Sequence, residues 1–107
     1  MSSTKLVVAT LFMLLLAVGA AQAGGDVARG LELAADCIDC HGEDGKGDEE
    51  NPSIAGLDAK EHLAMLEAYK SGELTDEDEI MLMFTEELST QDMTDLAVYY
   101  ATLPSDG

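Results

Sequence analysis

Apolar positions in this 107-residue chain fall into blocks divided by acidic and glycine-rich stretches. The first block, residues 6–18, is a nearly unbroken apolar run behind Lys5 and ahead of Ala21-Gln22-Ala23. A basic start, an apolar centre and an A-x-A site predict a secretory signal peptide over residues 1–23, cleaved after Ala23. The run is short for a membrane span, so no stable membrane anchor is expected after cleavage and the working domain is residues 24–107. There, Val27, Ala28, Leu31, Leu33, Ala34 and Ala35 recur with helical spacing behind Asp26, a capping residue. Gly30 interrupts that helix at a cost in propensity, which a close packing contact with Tyr99-Tyr100 would explain. Residues 42–52 are glycine-rich and acidic and predict a loop. A second helix is expected from Ala59 to Ser71, capped by Asp58, stopped at Gly72 and apolar at Leu63, Leu66 and Tyr69, with Met65 beside them. After an acidic stretch at 73–79 comes the dense run Ile80-Met81-Leu82-Met83-Phe84. The last helix has the clearest signature: Ser89 with Asp92 three residues on as a capping box, and Leu88 at the staple position. Its buried face is Met93, Leu96, Ala97, Tyr100 and Leu103 or Ala101, and Pro104 ends it. The pattern is all-α, with short helices and no internal repeat.

Charge narrows the possible partners. The chain carries 22 acidic residues against five basic ones, a formal net charge of −17. Lys5 belongs to the predicted signal, which leaves Arg29, Lys46, Lys60 and Lys70. Such a surface repels phosphates and anionic lipid, which excludes nucleic-acid binding and docking on anionic membranes. Two explanations of the charge stand side by side: attraction of a basic partner, or a surface suited to high salt, where screening removes self-repulsion. A domain this small also leans on a cofactor or a staple for stability.

Candidate chemistry concentrates at Cys37-Ile38-Asp39-Cys40-His41. This is C-x-x-C-H, the attachment motif of c-type haem. Two thiols at this spacing reach the two vinyl groups on one porphyrin edge. The histidine that follows lies under the ring, where an imidazole nitrogen can bind iron. The other chemistries of the motif fit less well. A thioredoxin-like pair follows a strand, and none is predicted here. A zinc site lacks ligands, since His62 is the one further histidine in the chain. A Cys37–Cys40 disulfide closes too small a loop to stabilise much. Export agrees with haem, which is attached to c-type proteins outside the cytoplasm. His62 itself reads as an exposed helix histidine beside Glu61, with iron ligation as the rival reading. A haem with histidine on one face has a sixth position to fill, and a methionine thioether from the 80–84 run is suited to it.

With these residues in order, the chain resembles the single-haem class I cytochromes c, of the small bacterial periplasmic type that includes cytochrome c553 and single domains of cytochrome c4. The likeness runs through the Gly30 helix, Cys37-Ile38-Asp39-Cys40-His41-Gly42, the glycine loop and Pro52-Ser53-Ile54-Ala55-Gly56. It continues through the middle helix, the methionine, Leu88-Ser89 and Asp95-Leu96-Ala97-Val98-Tyr99-Tyr100. It implies a class I cytochrome c fold of three to five short helices wrapped around one covalent haem. Cys37 and Cys40 then carry the thioethers, His41 is the proximal iron ligand, and the Pro52 carbonyl holds the second imidazole nitrogen of His41. Met81 is the distal ligand, with Met83 as the fallback, and Gly30 and Tyr100 mark the crossing of first and last helices. The implied role is a periplasmic electron carrier and not an enzyme, working as a monomer or as the haem subunit of a complex such as a flavocytochrome c sulfide dehydrogenase. Two departures from the family pattern matter. The basic residue usual before the ligand methionine is replaced by acids at 73–79, and carboxylates near the iron favour the ferric state. Few lysines are left for a basic docking ring, so redox partner proteins should present a basic or apolar face.

Overall fold

The computed structural model describes residues 24–105; the expected signal peptide, residues 1–23, lies outside them. Five α-helices and two 3-10 turns make up the regular structure, with no strand among the described residues. Helix α1 is Val27–Leu33, followed by a 3-10 turn at Ala34–Asp36 and the single turn α2 at Ile38–His41. Helix α3 is Ala59–Ser71; a second 3-10 turn, Glu77–Glu79, leads into α4 at Ile80–Glu86, and α5 is Thr90–Ala101. None of the described helices is long and apolar enough to cross a membrane.

The helix ends follow their capping chemistry. Asp26 accepts from the Arg29 amide, Asp58 from the Glu61 amide, and Gly72 closes α3 in the left-handed region at φ 83°. Ser89 and Asp92 form a reciprocal capping box on α5. One boundary differs from expectation. The first helix stops at Leu33, and the C-x-x-C-H segment forms its own turn, because the chain tightens to 3-10 geometry at Ala34–Asp36 before it. That break turns Cys37 and His41 independently of α1.

The core is Ala34, Ile54, Leu66, Met93, Leu96 and Tyr100, drawn from α1's extension, the long loop, α3 and α5. Helix α5 is central: α1 packs on one side of it and α3 on another. At the α1–α5 crossing the backbones nearly touch. A Cβ on Gly30 would lie 2.1 Å from the Asp95 carbonyl oxygen and 2.6 Å from the Tyr99 Cβ. Of the expected Tyr99-Tyr100 pair, Tyr99 is thus the residue closest to Gly30, and Asp95 is closer still. Tyr100 is one residue, or about 100°, further round the helix, and it faces the interior at 1 % exposure. Asp95 is buried as well. Its Oδ1 accepts the Asp26 backbone N–H at 2.8 Å and the Gln91 amide at 2.9 Å, tying the start of α1 to α5.

The acidic loop is ordered by its own hydrogen bonds. Asp48 accepts from the amides of Glu50 and Asn51, and the Gly47 amide donates to the His41 carbonyl at 2.7 Å. At Gly47, with φ 68°, a Cβ would stand 2.2 Å from the Asn51 carbonyl oxygen. The loop can thus fold back tightly enough to bring Pro52 over His41.

Candidate functional site

A cleft of about 340 Å³ opens between the C-x-x-C-H turn, the returning loop, α3, α4 and α5. Cys37, Cys40 and His41 form one wall with Pro52 and Ile54; His62, Leu66 and Tyr69 of α3 form another. Met81, Ile80 and Phe84 come from α4, and Leu96 and Tyr100 from α5. The structure thus brings Cys37, Cys40, His41, Pro52 and Met81 to one cavity. Met83 is not among its lining residues and is 62 % exposed.

His41 is buried, and its Nδ1 lies 2.8 Å from the Pro52 carbonyl oxygen. A carbonyl only accepts, so Nδ1 carries the proton and Nε2 keeps its lone pair. A neutral imidazole held this way is prepared to bind a metal through Nε2, with its ring orientation fixed from behind. Cys37 and Cys40 are not joined in a disulfide, which leaves both sulfurs for thioether bonds. Before thioether formation, burial pushes the Cys37 thiol pKa up.

Met81 sits in the second position of α4. Its amide donates to both carboxylate oxygens of Asp76, at 3.2 and 3.3 Å. Its carbonyl accepts from Thr85 Oγ1 at 2.8 Å, and Thr85 is fully buried. Neither contact is visible in the hydrophobic pattern. Much of the apolar run around Met81 is not core: Ile80, Met83 and Phe84 are exposed, and the cleft margin is correspondingly apolar.

His62 corrects the sequence reading. It is 4 % exposed, not a surface histidine, and its ring lies 5.6 Å from the Tyr100 ring. His62, Leu66 and Tyr69 stand at i, i+4 and i+7, the stripe that a helix turns toward one neighbour. Burial, with a smaller contribution from the nearby His41, lowers the His62 pKa to about 4. The unfolded chain therefore binds a proton between pH 6.5 and 4 that the folded chain refuses. Folded stability attributable to His62 is complete above pH 6.5 and is lost as pH falls toward 4, by about 3 kcal/mol in all. Urea unfolding of the haem-loaded protein at pH 7.5 and pH 4.5 should show this loss in the wild type and not in His62→Gln. Equal slopes in the two proteins would remove the buried neutral histidine from the account.

The cleft suits the cofactor that the motif calls for. Among the described residues, His62 Nδ1 is a buried side-chain atom with no hydrogen-bond partner, and the buried Tyr100 hydroxyl has the Cys37 thiol beside it. Both residues line this cavity. An unpaired buried polar atom costs on the order of 1–3 kcal/mol, so a wall that carries His62 Nδ1 is built to face a group with polar atoms of its own. Pro52, Ile54, Met65, Leu66, Ile80, Met81, Phe84 and Leu96 give the cavity apolar surface for a porphyrin face, beside two thiols and an imidazole base, while Asp36, Glu50, Asn51, Asp76, Glu77 and Asp78 add polar side chains to its lining.

Comparison with known proteins agrees. Residues 27–104 match the family model for cytochrome c. Cytochrome c4 of Pseudomonas aeruginosa is 38 % identical over 99 residues, covering 92 % of this chain and 48 % of the relative. The chain therefore spans about half the length of that protein. Cytochrome c-554(548) of Halomonas halodenitrificans is 31 % identical over 80 residues, 73 % of this chain and 96 % of its own. Cytochrome c-554(547) of Halothiobacillus neapolitanus is 36 % identical over 89 residues, 74 % of this chain and 98 % of its own. The helical architecture is that of a class I cytochrome c. On the family match, the relatives and the C-x-x-C-H cleft together, the chain belongs to the cytochrome c family and carries covalently attached haem c.

Proposed function

We propose that this chain is a periplasmic electron-transfer protein, exported by residues 1–23 and holding one haem c through Cys37 and Cys40, with His41 and Met81 as the axial ligands of the iron. The observation that carries the reading is the shared cleft. Cys37, Cys40, His41 and Met81 line one cavity, and the Nδ1 contact to Pro52 leaves His41 Nε2 as the base. Met81 is favoured over Met83 because it faces the cleft while Met83 is largely in solvent.

Haem bound this way supplies a one-electron ferric–ferrous couple with no open coordination position for a substrate. The chain's own residues do the remaining work. The Pro52 carbonyl holds the His41 ring orientation, and a methionine thioether in place of a second nitrogen base raises the potential. Leu66, Leu96, Ile54 and Tyr100 keep water from the ring. Ile80 and Phe84, each about 40 % exposed, line the cleft and leave an apolar approach to it. Glu77, Asp78 and Glu79, all exposed, border that approach. This supports a redox partner with an apolar centre and a basic rim. Whether the chain works free or as the haem subunit of a larger oxidoreductase, the same edge would be used.

The test is a redox titration of the haem-loaded protein with and without carbon monoxide at neutral pH. A single reversible one-electron wave, with a ferrous spectrum unchanged by carbon monoxide, is the expected result. Carbon monoxide binding without displacement of a ligand would mean an open iron site and would favour a gas sensor or a peroxidase-like enzyme.

A further inference from the structure

The sequence before Met81 is the least ordinary part of the backbone. Asp78 and Glu79 are consecutive non-glycine residues in the left-handed region, at φ 64° and 56°. Side chains with a Cβ disfavour that conformation, and such residues persist where surrounding contacts over-determine them. The contact here is specific. Helix α4 begins without a side-chain cap from its own N-terminal residue, Glu79. The first amides of a helix have no partner within it. Asp76, five residues before Met81, reaches over the left-handed pair and takes the Met81 amide with both carboxylate oxygens. Among the acids at 76–79, Asp76 is the half-buried one, and it lines the cleft. From the other side, Thr85 holds the Met81 carbonyl. The peptide groups on both sides of the methionine are thereby fixed.

We infer that Asp76 is a positioning residue for the iron ligand: its carboxylate clamps the Met81 backbone and sets where the thioether sits in the cleft. The inference rests on Met81 being the distal ligand. It gives the acidic stretch a structural task distinct from surface charge. It also explains why an acid lines the cleft despite the pull of a carboxylate toward the ferric state. An amide hydrogen bond needs an acceptor, and a short side chain at this distance supplies one.

Charge and hydrogen bonding separate cleanly by substitution. Asp76→Asn keeps an acceptor oxygen and removes the charge; Asp76→Ala removes both; Glu77→Gln removes a neighbouring charge alone. The readout is the concentration of added imidazole that displaces methionine from the ferric haem, followed through the weak far-red band of methionine ligation. Asp76→Ala should lower that concentration by about tenfold, the scale of one hydrogen bond. Asp76→Asn and Glu77→Gln should stay within about twofold of wild type. Equal shifts in Asp76→Ala and Asp76→Asn would assign the effect to charge and overturn the inference, as would no shift in Asp76→Ala. Amide hydrogen exchange in the unaltered haem-loaded protein gives a second reading if the alanine variant fails to mature. The Met81 N–H should be protected, and exchange at the rate of an open amide would overturn the clamp. A wild type without the far-red band, or a band that survives Met81→Ala, would fail the ligand assignment itself and is recognisable as that separate outcome.

Discussion

Gly30→Ala should lower the thermal unfolding midpoint of the haem-loaded protein by on the order of 10–20 °C. The added methyl would fall 2.1 Å from the Asp95 carbonyl oxygen and 2.6 Å from the Tyr99 Cβ. A backbone oxygen cannot turn aside as a side chain can. The α1–α5 crossing must therefore open, and with it the hydrogen bonds of Asp95 to Asp26 and Gln91. Alanine returns about 1 kcal/mol of helix propensity. Overpacking costs about 1–3 kcal/mol in ordinary cores, and here it acts on rigid backbone at the junction of two helices. A net loss of about 3 kcal/mol is expected, against a total stability on the order of 5–15 kcal/mol. Gly24→Ala is the control, since nothing lies within 4 Å of a Cβ at Gly24. Circular dichroism melts of the two variants decide the matter. A Gly30→Ala protein as stable as wild type would mean the helices do not cross this closely.

The need for a small residue at Gly30 and its contact with Tyr99 were legible in the sequence; its contact with Asp95 was not. The apolar positions of α5, Met93, Leu96, Ala97 and Tyr100, identify one buried face, and all four are buried. But α5 is covered on two sides. Its second stripe runs through Asp95 and Tyr99, and a carboxylate on that stripe disguises it as solvent-facing. Only the hydrogen bonds from Asp26 and Gln91 make a buried Asp95 tolerable, and those come from groups 69 and 4 residues away. The same limit applies to His62. Its spacing with Leu66 and Tyr69 marks the inner stripe of α3, yet residue type argues for the surface. The cleft that accommodates it is assembled from four other segments. Local capping signals fared better because both partners lie within three residues: Asp26, Asp58 and the Ser89–Asp92 box all form as their spacing predicts.

The candidate site divides along the same line. Cys37, Cys40 and His41 are one turn of chain, so a short motif suffices to find them. Pro52 reaches His41 only because the glycine loop folds back, and the family resemblance supplied that pairing where spacing could not. The left-handed pair at Asp78 and Glu79 runs against propensity, so no pattern of residue types would have indicated the turn that presents Met81.

That turn leads to the prediction with the largest effect on the redox centre. Met81→Ala should abolish the far-red methionine band of the ferric protein and lower the reduction potential by on the order of 0.2 V, a fraction of the roughly 0.8 V that axial ligands span. The thioether is a soft, neutral ligand that stabilises ferrous over ferric iron. Alanine at this position leaves the sixth site to water or to an added ligand, so the variant should also bind carbon monoxide in the ferrous state. Met83→Ala is the informative control. Met83 lies two residues on, about 200° round the helix, and is 62 % exposed. Its loss should leave the band and the potential where they were. The fold should survive both changes, because Met81 is only half-buried and the main core lies among Ala34, Ile54, Leu66, Met93, Leu96 and Tyr100. A lost band with unchanged helical content would thus report ligation and not unfolding. If Met83→Ala removes the band and Met81→Ala does not, α4 must rotate by about half a turn when haem is attached. The Asp76 and Thr85 contacts to the Met81 backbone would then belong to the haem-free chain alone. Those contacts hold the Met81 peptide from both sides, and that restraint is the physical reason to expect the ligand at position 81.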